Sequence, residues 1–418
     1  MSSNSALLSN SMSPLINSVE VKSNYSGFRY KLMSGVGACS KQRRTVQFQP
    51  VFGGNNSINL LKYGLCSKIY LRMVIRDSYD HAGGDNGSKM ILGIGGLINA
   101  IDEITLSSHS KILERLDRVA ILKYVLDKAK SDQDNIFALT GYNSLPVPSI
   151  TNTTDYVTYI PLPFSFFGSM DKAKDLLHLQ QLTVNISWAS QADSAKMCVS
   201  GTARSGGNAW VYQPCQLVIN YLELPSAKLN ELWNQNYSTN KPTNQLLLTT
   251  FKENEKIITV GPDENDFAID LTTKGCVVKS YIVIRPDLAT HDELRSDFQP
   301  INKIAFRCNG QDFYKADADE YEFERCITSD YYNSMSTASN NRADYHAIYE
   351  INHSIVPDMP SHKKYSQAIS FKNLSAPQYI ISVANSNLTK LIVEVIHVQL
   401  NLVAFSKQDG SAESILSI

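Results

Sequence analysis

The residues of this 418-residue chain that could do chemistry are few and scattered. Asp317, Asp319, Glu320, Glu322 and Glu324 form an acidic run of the oxygen donors that hard cations prefer. The run lacks the spacing of a dedicated calcium loop, and its partial alternation suits the solvated face of a strand. His291, His346, His353, His362 and His397 stand apart, with no His-x-His pair of the kind that gathers ligands in one barrel mouth. Gly93-Ile94-Gly95-Gly96 has the glycines of a phosphate loop, but no Lys-Ser/Thr follows, so it reads as a turn. No Gly-x-Ser-x-Gly elbow occurs. The seven cysteines (39, 66, 198, 215, 276, 308 and 326) contain no Cys-x-x-Cys and read as buried free thiols in a reducing compartment. The expectation is therefore no catalytic residue, no metal and no cofactor. Trp188, Trp210 and Trp233 read as core or interface anchors. What remains is Lys41-Gln42-Arg43-Arg44, where Lys41, Arg43 and Arg44 could meet nucleic-acid phosphates or membrane head groups.

The elements that carry these residues are mostly strands. In Ser67–Arg76, Ile69, Leu71, Met73 and Ile75 alternate with the outward Arg72 and Arg76; in Leu182–Trp188 the apolar positions alternate with Thr183, Asn185 and Ser187. Such alternation means a half-buried strand with one wet face. Thr389–Phe405 is apolar on both faces and reads as central. Helical spacing links Ile112, Leu116, Val119, Leu122 and Leu126, and Asp171–Leu179 and Ser226–Asn234 read as short helices, the last starting at Ser226 after Pro225. The segments 77–90 and 189–209 are Gly/Ser/Asp-rich loops. Length favours more than one domain, and abundant Tyr, Asn, Ser and Thr favour β-sandwiches over bundles. The net charge of -1 argues against a protein that is basic throughout. Residues 1–44, however, carry six basic residues against Glu20, a local +5, and read as a flexible basic arm without the pattern of a signal peptide. No window is apolar enough to span a membrane.

Seven segments then resemble, in family order over roughly residues 60–406, the double jelly-roll major capsid proteins of large eukaryotic DNA viruses, virophages and polinton-like elements. They are Leu97–Leu116, Tyr159–Trp188 with its Pro161-Leu162-Pro163-Phe164, Cys215–Leu232, Phe267–Asp287 with its Arg285-Pro286, Ile301–Cys326 with its Asn309-Gly310-Gln311-Asp312, Tyr349–Asn373, and Ile380–Phe405. The resemblance implies an all-β protein of two consecutive eight-stranded antiparallel jelly rolls, with short helices in loops and an N-terminal arm. The expected division is an arm over 1–44, a first roll over 45–225, a helical linker over 226–245, a second roll over 246–406 and a C-terminal tail over 407–418. It further implies a non-enzymatic shell protein of the virion, assembled inside the host cell as pseudo-hexagonal homotrimers. Its partners would be itself, neighbouring trimers and minor capsid or penton proteins. An internal membrane or genome could be met through the arm, and no small-molecule substrate is expected. The competing reading is a receptor- or glycan-binding spike or minor capsid protein.

Overall fold

The computed structural model describes residues 40–77, 90–92, 95–109, 111–129, 139–141, 155–167, 174–190, 198–200, 210–236, 243–261, 266–289, 295, 298–317, 348–353, 368–383, 389–406 and 410–414. The chain before Ser40, the acidic run after Asp317, most of the two long loops, and His291, His346 and His362 lie outside the described residues. Among the described residues the chain divides into two compact units, one of residues 40–249 with 401–414 and one of residues 250–400.

In the first unit, β1 (Ser40–Phe48), β12 (Cys215–Glu223), β3 (Leu65–Asp77) and β7 (Tyr156–Leu162) form one sheet in that order. The short strands β8 (Lys174–Asp175) and β11 (Trp210–Tyr212) also pair with β3. The opposing sheet runs β2 (Asn55–Asn59), β9 (Leu182–Trp188), β5 (Ile101–Ser108), β6 (Lys111–Asp117). A two-stranded ribbon joins β4 (Met90–Leu92) to β10 (Cys198–Ser200). Every pairing is antiparallel, and the eight long strands, numbered along the chain, lie as 1-8-3-6 and 2-7-4-5. That order is the jelly-roll winding.

The second unit repeats it. One sheet holds β14 (Lys256–Thr259) on β22 (Lys390–Phe405), followed by β16 (Cys276–Pro286) and β19 (Tyr349–Asn352), with β20 (Ile369–Ser370) beside β16. β13 (Thr243–Lys252) also pairs with β22, and residues 243–249 and 401–405 of these two strands are counted with the first unit. The other runs β15 (Asp266–Asp270), β21 (Gln378–Val383), β17 (Ile301–Cys308), β18 (Gln311–Asp317). Its core interleaves Ile282, Ile284, Val393 and Val395 of the first sheet with Ile304, Phe306, Tyr379 and Ile381 of the second. β22 is buried along nearly its whole length, as its two-faced apolar sequence requires, and ends against β23 (Ala412–Ser414) through Val403–Phe405. The fold is thus a double jelly roll.

Local differences from the sequence pattern have identifiable causes. β1 begins at Ser40, inside the segment expected to be an arm, and β23 lies inside the expected tail. The helical spacing around residues 112–126 spans two elements, β6 and then α1 (Arg118–Ala129). Ile112 and Leu116 fit either period, and pairing of Ile104 with Leu116 settles the strand. The switch falls at Asp117, whose carboxylate accepts the Val119 N–H at 2.7 Å, an N-cap bond. Over 174–179 the expected helix is replaced by β8 and turns, because the Asp175 carboxylate accepts the Leu177 N–H at 2.9 Å and closes an Asx turn. The third expected helix stands as α2 (Ser226–Asn236).

Candidate contact face and buried polar networks

β1 sorts its cations by parity. Lys41 and Arg43 point to the face away from the core with Thr45 and Gln47, whereas Arg44 shares the other face with Val46 and Phe48. All three cations are exposed. The Arg44 guanidinium lies 4.6 Å over the Tyr63 ring, whose hydrogen bond raises its pKa further. The register then does what spacing could not: Arg43 pairs with Asn220, and Asn220 with Lys68; Gln47 pairs with Gln216, Gln216 with Arg72, and Arg72 with Tyr159. Lys41, Arg43, Lys68 and Arg72 therefore stand on one sheet face. The described residues of that face along β1, β12, β7 and the Lys68–Val74 stretch of β3, namely Thr45, Gln47, Tyr70, Val74, Val157, Tyr159, Pro161, Gln216, Val218, Asn220 and Leu222, include no acid; the buried Asp175 of β8 pairs with Leu65 at the start of β3.

The motifs of the resemblance acquire physical roles. Asn309 and Gly310, with φ of 49° and 75°, form the two-residue turn between Cys308 and Gln311 that joins β17 to β18. Arg307 Nε clasps Asp312 across it at 2.6 Å. The Pro161–Phe164 block leads into a turn seated on Glu114. That carboxyl, buried in β6, accepts the Ser165 N–H (2.6 Å), the Ser165 hydroxyl (2.9 Å) and the Phe166 N–H (3.0 Å). Burial outweighs those three donors and pushes its pKa up to about 8. Gly96, at φ 49°, belongs to a tight turn: a Cβ there would meet the Gly141 carbonyl oxygen at 2.2 Å, which supports a packing role for the glycine-rich stretch.

Arg285, of the Arg-Pro motif, anchors an ionic cluster on β16. Its Nε lies 2.7 Å from Glu394 Oε1 and its Nη2 3.1 Å from Glu255 Oε2. Lys252 reaches the same two carboxylates at 3.3 Å and 2.7 Å.

A second cluster was not legible from spacing. Ser280 of β16 sits between two imidazoles, His397 Nδ1 at 2.7 Å and His353 Nε2 at 3.0 Å. Tyr379 Oη lies 2.9 Å from His353 Nε2, and Glu253 Oε1 lies 3.3 Å from His397 Nε2, within ion-pair reach but outside hydrogen-bonding geometry. Ser, His and Glu in this order resemble a nucleophile, its base and an orienting carboxylate. Ser280 and His397 are fully buried behind Phe306 and Phe371, so no substrate has a path to the hydroxyl. The signal in the sequence was His397 itself, a polar residue in a strand apolar on both faces.

Cys66, Cys215 and Cys308 are buried and Cys276 partly so, all as free thiols; burial raises each thiol pKa, to about 11 for Cys215 and Cys308. Among the described residues no group of three or more metal-ligating side chains forms, and no helix is long and apolar enough to cross a membrane. Trp188 and Trp233 are buried.

No family model and no curated protein matches the chain. Solved structures do. The PBCV-1 virus capsid protein aligns with a TM-score of 0.63 at 11% identity, covering 91% of this chain and 98% of that one. The Faustovirus major capsid protein aligns with a TM-score of 0.59 at 7% identity, covering 90% and 92%. A chain of the Sputnik virophage aligns with a TM-score of 0.57 at 10% identity, covering 93% and 91%. At such identities the likeness is one of fold: this chain has the double jelly-roll architecture found in those capsid proteins.

Proposed function

We propose that this chain is the major structural tile of an icosahedral virus shell, without catalytic activity. The observation that carries this reading is the repeated 1-8-3-6 and 2-7-4-5 winding over two rolls, matched across nine-tenths of this chain by the fold of a capsid protein. Three copies with two lobes each form a pseudo-hexagonal tile, and sheet flanks remain for neighbouring trimers and minor or penton proteins. A spike of one roll on a stalk has no need of the second roll.

Light scattering on the purified chain at micromolar concentration should give about three times 46.5 kDa, and electron microscopy should show hexagonal tiles. A clean monomer that binds glycans would overturn the reading in favour of the spike.

The contact with genome or an internal membrane falls to the basic sheet face, now including Lys68 and Arg72 beside Lys41 and Arg43. Neutralising Lys41 and Arg43 together to Gln should flatten the log–log salt dependence of single-stranded nucleic-acid binding by about 1.4, at roughly 0.7 per lost phosphate contact. Arg44→Gln should change it far less, because that side chain lies on the other face over Tyr63. Equal effects of both variants would dissolve the face into general surface charge.

A further inference from the structure

We propose that the Ser280–His353–Tyr379–His397 cluster, with Glu253, is an acid-sensitive latch that holds the second roll closed at neutral pH and loosens it on acidification. The latch spans the sandwich. Ser280 and His397 lie on β16 and β22, and His353 follows β19, all on one sheet; Tyr379 lies on β21 of the other. The hydrogen bonds among them are a polar bolt through an otherwise apolar core.

The bolt is satisfied with both rings neutral. Glu253 already accepts the Thr272 N–H (2.9 Å), the Thr273 N–H (2.8 Å) and the Thr272 hydroxyl (2.5 Å), which suits a carboxylate. The His397 nitrogen facing it keeps a proton, so His397 Nδ1 accepts from Ser280. A further proton on His353 strands a cation between aromatic rings, and one on His397 Nδ1 displaces the Ser280 donation and forces that hydroxyl to turn towards His353. His353 is 5.0 Å from the Phe306 centroid and 5.3 Å from that of Phe371, and His397 is 5.3 Å from Phe371. Among the described residues the titratable groups facing the two imidazoles are Glu253, beside His397, and Tyr379, beside His353, with Cys308 acting on Tyr379. Lys279, Arg285, Glu350 and Glu394 alternate to the opposite face of their sheet.

The electrostatics agree in sign. Burial lowers the pKa of His353 to about 3, with the neighbouring His397 acting the same way. Burial also lowers His397, against the opposing pull of Glu253. Burial works to raise Glu253, but the neighbouring His397 and the bonds from Thr272 and Thr273 outweigh it and hold that carboxyl below its ordinary value. A histidine depressed in the folded state stabilises fully above its unfolded pKa of about 6.5, and that stability is lost as pH falls towards the folded value. His353 alone then shifts the opening equilibrium of the second roll about tenfold per pH unit below 6.5. The first roll carries the reverse sign: Glu114, raised to about 8, contributes stability that is present at low pH and lost as pH rises through 8. If the chain tiles a shell, as proposed above, acid weakens one roll of every tile.

Amide hydrogen exchange read by mass spectrometry, corrected for intrinsic rates, tests this at pH 7.0 and 4.5. Protection in β16, β21 and β22 should fall by about 100-fold on acidification, while β3, β9 and β12 should lose none and, through Glu114, should gain protection. His353→Gln keeps a hydrogen-bonding amide and removes the titration, so its acid-induced loss should shrink at least tenfold. Equal loss in both rolls of the unaltered protein would overturn the proposal even if the variant fails to fold, and so would an unchanged loss in a folded variant. Neither outcome bears on whether the chain forms trimers.

Discussion

Arg285→Ala should lower the unfolding free energy by about 3 kcal/mol, the lower end of the range for removing one partner of a buried ion pair. Glu394 is 1% exposed, and Arg285 Nε, at 2.7 Å, is its short charged contact. Lys252 stays within 3.3 Å of the same oxygen, but at 30% exposure it replaces only part of the lost interaction. The loss arises mainly from stranding the carboxylate in a place water does not reach. Hence Arg285→Met combined with Glu394→Met, which removes both charges and keeps apolar volume, should recover most of the stability. Urea unfolding followed by far-ultraviolet circular dichroism measures both variants. A single variant within about 1 kcal/mol of the parent would show that Lys252 already carries the pair.

Trp188→Ala in the first roll should cost about 3–5 kcal/mol, the range for emptying a large aromatic from a core. The indole is 2% exposed, its ring lies 5.7 Å from Phe52 and 6.4 Å from Phe48, and its N–H donates to Asn56 Oδ1 at 2.6 Å. Trp188→Phe retains the packing and should lose much less. Thermal unfolding by circular dichroism separates the two, and similar melting temperatures for both variants would assign the stability to the hydrogen bond instead.

The acid latch and these substitutions act on residues of different legibility. Trp188 announced itself through strict alternation along Leu182–Trp188, and its burial followed. Arg285 stood in a recognisable Arg-Pro, yet nothing near it in sequence pointed to Glu394, 109 residues away. His353 and His397 looked like scattered histidines because their common partner, Ser280, is 73 residues from one and 117 from the other.

What the sequence by itself determined is local: which residues of β3 and β9 face inward, that β22 is central, and that seven motifs occur in family order. A side-chain period of two assigns a face to each residue with no knowledge of neighbours. Tertiary structure alone decided which strand lies beside which. Arg43 meets Asn220, and Asn220 meets Lys68, through pairings more than 150 residues apart that no periodicity encodes. A slip of one residue in that register would exchange Arg43 for Arg44 on the outer face. The division of the basic stretch into an outward pair joined by Lys68 and Arg72, and an Arg44 held over Tyr63, is therefore a property of the sheet. So is the change from β6 to α1 at Asp117, where pairing with β5 overrides a spacing that suits either element.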